Sequence, residues 1–463
     1  MNKSNTQYDL LITNATICTM NEDMQVIGRG FVAVTDDRIA MIGSGEPSSS
    51  MNASDVIDAD GQVLFPGFIN THTHIFQSFL KGLGADHQLI EWLNRSALPY
   101  GAVMTPHQHR LAAQLTCMEA IRSGCTTLCE FFYTDQDPEL ADGCIAGMMD
   151  TGIRSVFIRT FQDRGEDYGM PACMVQPAEE AMREVERLRT EYRDHGDMLS
   201  IWTGPDVTWS TSAEGYRTML DYCKAHDVRY AMHIDETEVD DAMCQATYDS
   251  DIVPMLEGMG FLGDHMLGVH CVNLTDDEID AFARHGVSVS YNPVSNMYLG
   301  SGVAPIRECL DKGITVSIGT DGAASNNTTD FLEAMKFAAL IQKGFSRDAA
   351  RITARETVAM ATVGGAKAIG MQQSLGSIEV GKKADMVLFE PRHLKSMPMH
   401  DPYATVVYSS SPENISTTIV NGKVVYRDGV FACGIDERQL SRDIDEELRK
   451  LRVALSLDEV QAC

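Results

Sequence analysis

Two histidines, His72 and His74, close the apolar run Val63 to Ile69. Alternate residues of a strand face the same way, so both imidazoles leave one face at its C-terminal end. Neutral imidazole is a common ligand for divalent transition metals, and a fixed pair supplies half of a four-coordinate site or part of a five-coordinate one. The strings His233-Ile234-Asp235-Glu236, His270 and Thr320-Asp321 close three further strand-like runs. Four strand ends carrying metal-compatible groups point to metal coordination.

Such groups converge only if the strands share a rim. From about residue 64 to Asp321 strand-like runs alternate with helical patterns. Thr105 is a candidate N-cap with Pro106 at the first helical position, and the helix through Arg122 is stopped by Gly124. Strands follow at 125–129, 153–160, 199–203, 228–233, 266–270, 287–291 and 314–321, separated by helices near 138–151, 177–194, 213–226, 251–259, 275–285 and 303–312. With the histidine strand these make eight. That count predicts an α/β fold, a parallel (β/α)8 TIM-like barrel, whose active site lies at the C-terminal strand ends.

Short strands between residues 8 and 63 read as an antiparallel meander with a flexible stretch from Ser44 to Asn52. Beyond two helices, at 329–344 and 347–361, strands resume at Ile378–Val380, Ala384–Phe389, Thr405–Tyr408 and Ser416–Val420. Asn421-Gly422 is a hairpin turn before Lys423–Tyr426. The expected organisation is residues 1–63 and 374–432 in one composite β-sandwich, the barrel over 64–373, and an amphipathic helix within 433–463. Leu440, Ile444, Leu448 and Leu451 share one face of that helix, to pack on its own subunit or, as the second reading, on a partner in a homo-oligomer.

The 463 residues include 37 basic and 66 acidic side chains, a formal net charge of −29. That field repels phosphate backbones and anionic membranes, which argues against nucleic acid and lipid as partners. No apolar run reaches the roughly 18 residues of a membrane span. Met1 to Gln7 lacks the apolar core of a signal peptide, so a cytoplasmic location is expected. The 12 cysteines lack a paired framework and read as reduced thiols.

The strings Pro66 to His74, His233 to Glu236, Val269-His270-Cys271, Asn292 to Gly302 and Gly319 to Asn327 resemble the amidohydrolase superfamily. The likeness is to its branch of chlorohydrolases and heterocycle deaminases, and it spans nearly the whole chain. The resemblance implies that His72, His74, His233 and Asp321 hold one divalent ion, Zn2+ or else Fe2+. It makes Glu236 the proton shuttle and His270 the residue that holds the nucleophile or the developing oxyanion. Binuclear relatives need a carboxylated lysine, commonly on strand four, and Ile201-Trp202-Thr203-Gly204-Pro205 has none. A bound divalent ion brings its water's pKa down to roughly 7, a nucleophile able to displace an exocyclic amine. Glu236 and Asp321 then move protons to the ring and the leaving ammonia.

The expected activity is hydrolytic deamination of a small aromatic N-heterocycle of the guanine, 8-oxoguanine, isocytosine, pterin or triazine type. Gln77 resembles the glutamine that guanine-type deaminases turn toward a ring amide, and Trp92 and Met297 are candidate pocket walls, as are Trp209, Phe131, Phe132 and Tyr133. The alternatives are an S-adenosylhomocysteine or methylthioadenosine deaminase, a triazine chlorohydrolase or N-dealkylating hydrolase, and a non-catalytic binding protein on the same scaffold.

Overall fold

The computed structural model describes residues 6–134 and 137–455; the outermost parts of the two expected terminal segments, 1–5 and 456–463, lie outside them. Eight strands close a barrel in which every neighbouring pair is parallel. In chain order they are Phe68–Thr73, Cys125–Phe132, Arg154–Phe161, Leu199–Pro205, Tyr230–Ile234, Met266–His270, Ser288–Tyr291 and Val316–Ile318. Helices follow the strands and cover the barrel, as a sheet buried on both faces requires. The helix Pro106–Arg122 starts at the expected Thr105 cap, whose hydroxyl accepts from Gln108 N at 3.3 Å.

The two chain ends join in one nine-stranded sheet with a core of its own, including Leu10, Ile12, Val32, Leu388 and Ile419. Its centre is the pairing of Val63–Pro66 with Met386–Phe389. The apolar run from Val63 to Ile69 is therefore two strands. Val63–Pro66 belongs to the outer sheet and Phe68–Thr73 to the barrel, and Gly67 carries the chain across. A Cβ at Gly67 would stand 2.1 Å from Thr126 Oγ1, so glycine is demanded by close approach.

Other expectations shift. Thr405–Tyr408 lies in the helix Pro402–Tyr408, because Asp401 caps it and Pro402 takes its first position. Ile378–Val380 stays outside the strands, flanked by left-handed Gly376 and Gly381. Part of the flexible stretch is strand, since Met51–Asp58 runs parallel to Thr6–Cys18. The helix expected from 347 begins only at Ala354, because Arg347 turns left-handed (φ 57°) and Thr353 forms a new capping box with Glu356.

The helix Glu437–Ala454 buries Leu440, Ile444 and Leu451 against its own chain, and Glu447 accepts from Gln108 Nε2 at 3.0 Å. All eleven cysteines among the described residues are free. Among those residues no helix is long and apolar enough to cross a membrane.

Candidate metal centre and active-site cavity

His72 and His74 leave the end of the first barrel strand with ring centroids 4.7 Å apart. His233 comes from strand five, with its ring centroid 5.1 Å from that of His72 and 5.3 Å from that of His74. Each outer nitrogen is tethered. His74 Nδ1–H donates to Phe131 O and His233 Nδ1–H to Asp206 O, both at 2.8 Å. Those bonds fix the tautomer and leave each Nε2 a bare lone pair facing the rim. Phe131, buried on strand two, packs its ring 4.3 Å from that of His233 and stiffens the pair.

Asp321 follows the last strand. Its Oδ1 lies 3.2 Å from His72 Nε2 and 3.4 Å from His74 Nε2. Gly322 N donates to Oδ1 at 2.7 Å, while the hydroxyls of Ser295 and Ser325 donate to Oδ2. Asp321 (φ 61°) and His270 (φ 69°) both adopt the left-handed conformation that non-glycine residues take rarely and at some cost. That turn aims their side chains across the barrel mouth.

His270 extends the cluster from strand six. Its Nδ1 lies 3.3 Å from both Asn296 Oδ1 and Asn292 Nδ2, and its Nε2 is 3.7 Å from Glu236 Oε2. Burial keeps the imidazoles of His72, His74, His233 and His270 neutral by lowering their pKa values, that of His74 to about 3. Burial, followed by the charge of Asp321, raises the Glu236 carboxyl well above its ordinary value.

The residues present fit a metal ion. Ligand atoms of His72, His74 and His233 lie within 4.8 Å of one another, as do those of His72, His270 and Asp321. Both nitrogens of the fully buried His72 ring lack a directed hydrogen bond, and the Nε2 atoms of His74 and His233 face each other. A buried set of neutral imidazoles and a carboxylate is the donor chemistry of zinc and similar ions.

Above this cluster opens a largely apolar cavity. Gln77 and Trp92 line it, with Tyr133, Trp209, Glu236 and Asp240. The Gln77 amide donates from Nε2 to Tyr133 Oη at 3.0 Å, and its buried Oε1 has no partner. Gly322 makes room for it, because a Cβ there would stand 1.9 Å from Oε1. Trp92 holds its place by donating from Nε1 to Ala324 O at 3.2 Å. Met297 is 38% exposed on the short helix Pro293–Tyr298 and stays outside the lining, as do Phe131 and Phe132.

Several contributors were not identified from sequence. Leu89, Ile90, Leu93 and Leu98 form one wall from two short helices after His74, and Tyr168 and Met170 face the cavity from the loop after strand three. Asp206, one residue past strand four, is a polar strand-end group that was likewise not singled out from sequence. Glu130 on strand two accepts from Ile75 N at 2.7 Å and fixes the turn out of the histidine strand.

Residues 63–425 match the model of the amidohydrolase family. The chain is 32% identical over 445 residues to the 5′-deoxyadenosine deaminase of Methanosarcina barkeri, covering 96% of this chain and 98% of that one. It is 30% identical to the 5-methylthioadenosine/S-adenosylhomocysteine deaminase of Syntrophobacter fumaroxidans, covering 96% and 97%. The fold is similar to an adenosine deaminase from Xanthomonas campestris with bound zinc, at TM-score 0.90 and 26% identity over 96% of this chain and 99% of that one. It is also similar to atrazine chlorohydrolase from Arthrobacter aurescens TC1 complexed with zinc, at TM-score 0.88 and 25% identity over 95% and 100%.

Proposed function

The chain belongs to the amidohydrolase family, and on that premise we propose that it is a metal-dependent aminohydrolase. It replaces an exocyclic amine of an aromatic N-heterocycle by oxygen and releases ammonia. The observation that carries this reading is the Glu236–His270 pair beside a His/His/His/Asp cluster, at the floor of an apolar cavity.

The cluster and the zinc-bound structural neighbours support a divalent metal. We assign His72, His74, His233 and Asp321 as the residues that hold it, with Zn2+ as the ion. When bound, the ion supplies a water activated for attack at neutral pH. The rest falls to side chains. Glu236, a buried carboxyl with an unpartnered Oε1, gives its proton to a ring nitrogen as the ring carbon becomes tetrahedral and is reloaded with a proton from the water. His270 orients the attacking oxygen, its ring held by Asn292 and Asn296. Asp321, steadied by Ser295 and Ser325, holds the second proton, which leaves with the amine as ammonia. Trp92, Trp209 and the leucine wall exclude bulk water from the ring.

Two substrate readings have separate support. Relatives with 30–34% identity over at least nine-tenths of the chain are named deaminases of 5′-deoxyadenosine or of methylthioadenosine and S-adenosylhomocysteine, which favours a 5′-modified adenosine. Gln77 favours a ring amide such as guanine, 8-oxoguanine or isocytosine, because its free Oε1 can accept from a ring N–H. Ammonia release measured over both sets with the metal-loaded protein tests the proposal. A protein that releases ammonia from neither set is not this aminohydrolase.

A further inference from the structure

We infer that the cavity accepts aminoheterocycles without an anionic group and rejects those bearing a carboxylate or phosphate. This rests on the deaminase reading only for where the ring sits.

The cavity adjoins an outer groove, because Leu89, Ile90, Asn94 and Leu299 line both. A ring whose amine faces Glu236 sends any substituent past those four side chains into the groove. The inner cavity is lined by the carboxyl groups of Asp206, Glu236, Asp240 and Asp321, with no lysine or arginine among the described residues. The groove adds Asp86, Glu91 and Glu238. Its one arginine, Arg95, and its one histidine, His87, both face Glu91: Arg95 donates from Nε to Oε1 at 2.9 Å, and His87 Nδ1 lies 3.3 Å from Oε2.

An anionic tail drawn along this path loses its hydration and meets no free counter-ion. A divalent ion at the histidine cluster does not change that, because its charge lies on the floor and is offset there by the Asp321 carboxylate. The net charge of −29 adds long-range repulsion of anions.

Gln77 Oε1, buried and without a partner in the cavity, is an acceptor in want of a donor. That acceptor reads the ring edge, where a ring N–H brings the donor, and leaves the choice between charged and uncharged tails to the lining further out. Leu89, Ile90 and Leu299 meanwhile suit an apolar substituent such as a methyl or methylthio group.

The test uses the metal-loaded protein and matched ligands. Isothermal titration compares inosine with inosine 5′-monophosphate, and kcat/KM compares adenosine with adenosine 5′-monophosphate. The uncharged member of each pair is expected to be favoured by about tenfold or more, on the scale of a charge pair left unmade. Ile90→Arg, which puts a guanidinium at the junction, is expected to shift that ratio at least about tenfold toward the anionic member. If no pair yields ammonia but inosine still outbinds its monophosphate, the deaminase reading falls and the charge selection stands. A smaller or reversed preference, or no binding by either member, overturns the inference.

Discussion

His74 and His233, 159 residues apart in sequence, bring their Nε2 atoms to 3.3 Å, while each Nδ1–H is spent on a backbone carbonyl. Two bare lone pairs at that separation repel unless something electron-poor lies between or beside them. The carbonyls of Phe131 and Asp206 hold the rings in the orientation that a cation needs, so the centre is pre-arranged by the barrel.

The purified protein should therefore hold about one Zn2+ or Fe2+ per chain, as a single four-ligand set implies. Replacing both His72 and His74 by Ala should strip it. Elemental analysis is the check. Two tightly held ions in the wild type, or undiminished metal in the double variant, would sink the mononuclear assignment.

Glu236→Gln should retain the metal and lose activity by a factor of about 100 to 10,000, the usual contribution of a general acid–base group. The amide keeps the size and the contact with His270 but cannot carry the proton. Metal content and kcat, measured together on the true substrate, separate this from collapse of the site. A loss under about tenfold would mean that another group moves the proton.

The strand ends were legible because each histidine terminates an apolar run, and eight such runs alternating with helices admit few topologies other than a barrel. The break at Gly67 was not, since Val63 to Ile69 is uniformly apolar and only the approach of Thr126 reveals where one sheet hands over to the other. At Thr405-Val406-Val407 the β-branched residues outweighed the Asp401-Pro402 helix start, although tertiary packing buries Val406 and Val407 in a helix. The cavity wall stayed hidden for a different reason. Leu89, Leu93 and Leu98 have the character of core residues, and only their position above the histidines makes them a lining. Met297, in contrast, sits within a string typical of the site yet turns outward.

Arg154 joins the barrel to the outer sheet. Its fully buried guanidinium donates to both oxygens of Asp385 at 3.1 Å and to Asp197 O at 2.6 Å. Removing one partner of such a pair leaves the other charge uncompensated, at about 3–5 kcal/mol. Arg154→Met should lower the urea midpoint accordingly, and adding Asp385→Asn should recover part of the loss. A single-variant cost below about 1 kcal/mol would show that the pair does not couple the two units.

Gln77 carries the substrate question. Its Nε2 is committed to Tyr133 Oη and its Oε1 is buried and free, so the side chain presents an acceptor at a fixed place in the cavity. A ring amide satisfies it with a ring N–H, whereas the ring of an N9-substituted adenine offers acceptors there. Losing such a buried hydrogen bond costs about 1 to 3 kcal/mol, roughly a five- to 150-fold fall in kcat/KM. Gln77→Leu should therefore weaken turnover of guanine, 8-oxoguanine or isocytosine far more than that of 5′-deoxyadenosine or methylthioadenosine. Parallel kcat/KM measurements on the two classes decide it. The ring-amide reading fails if the variant treats both alike, or if the wild type deaminates the adenosine-type nucleosides far better than any ring amide.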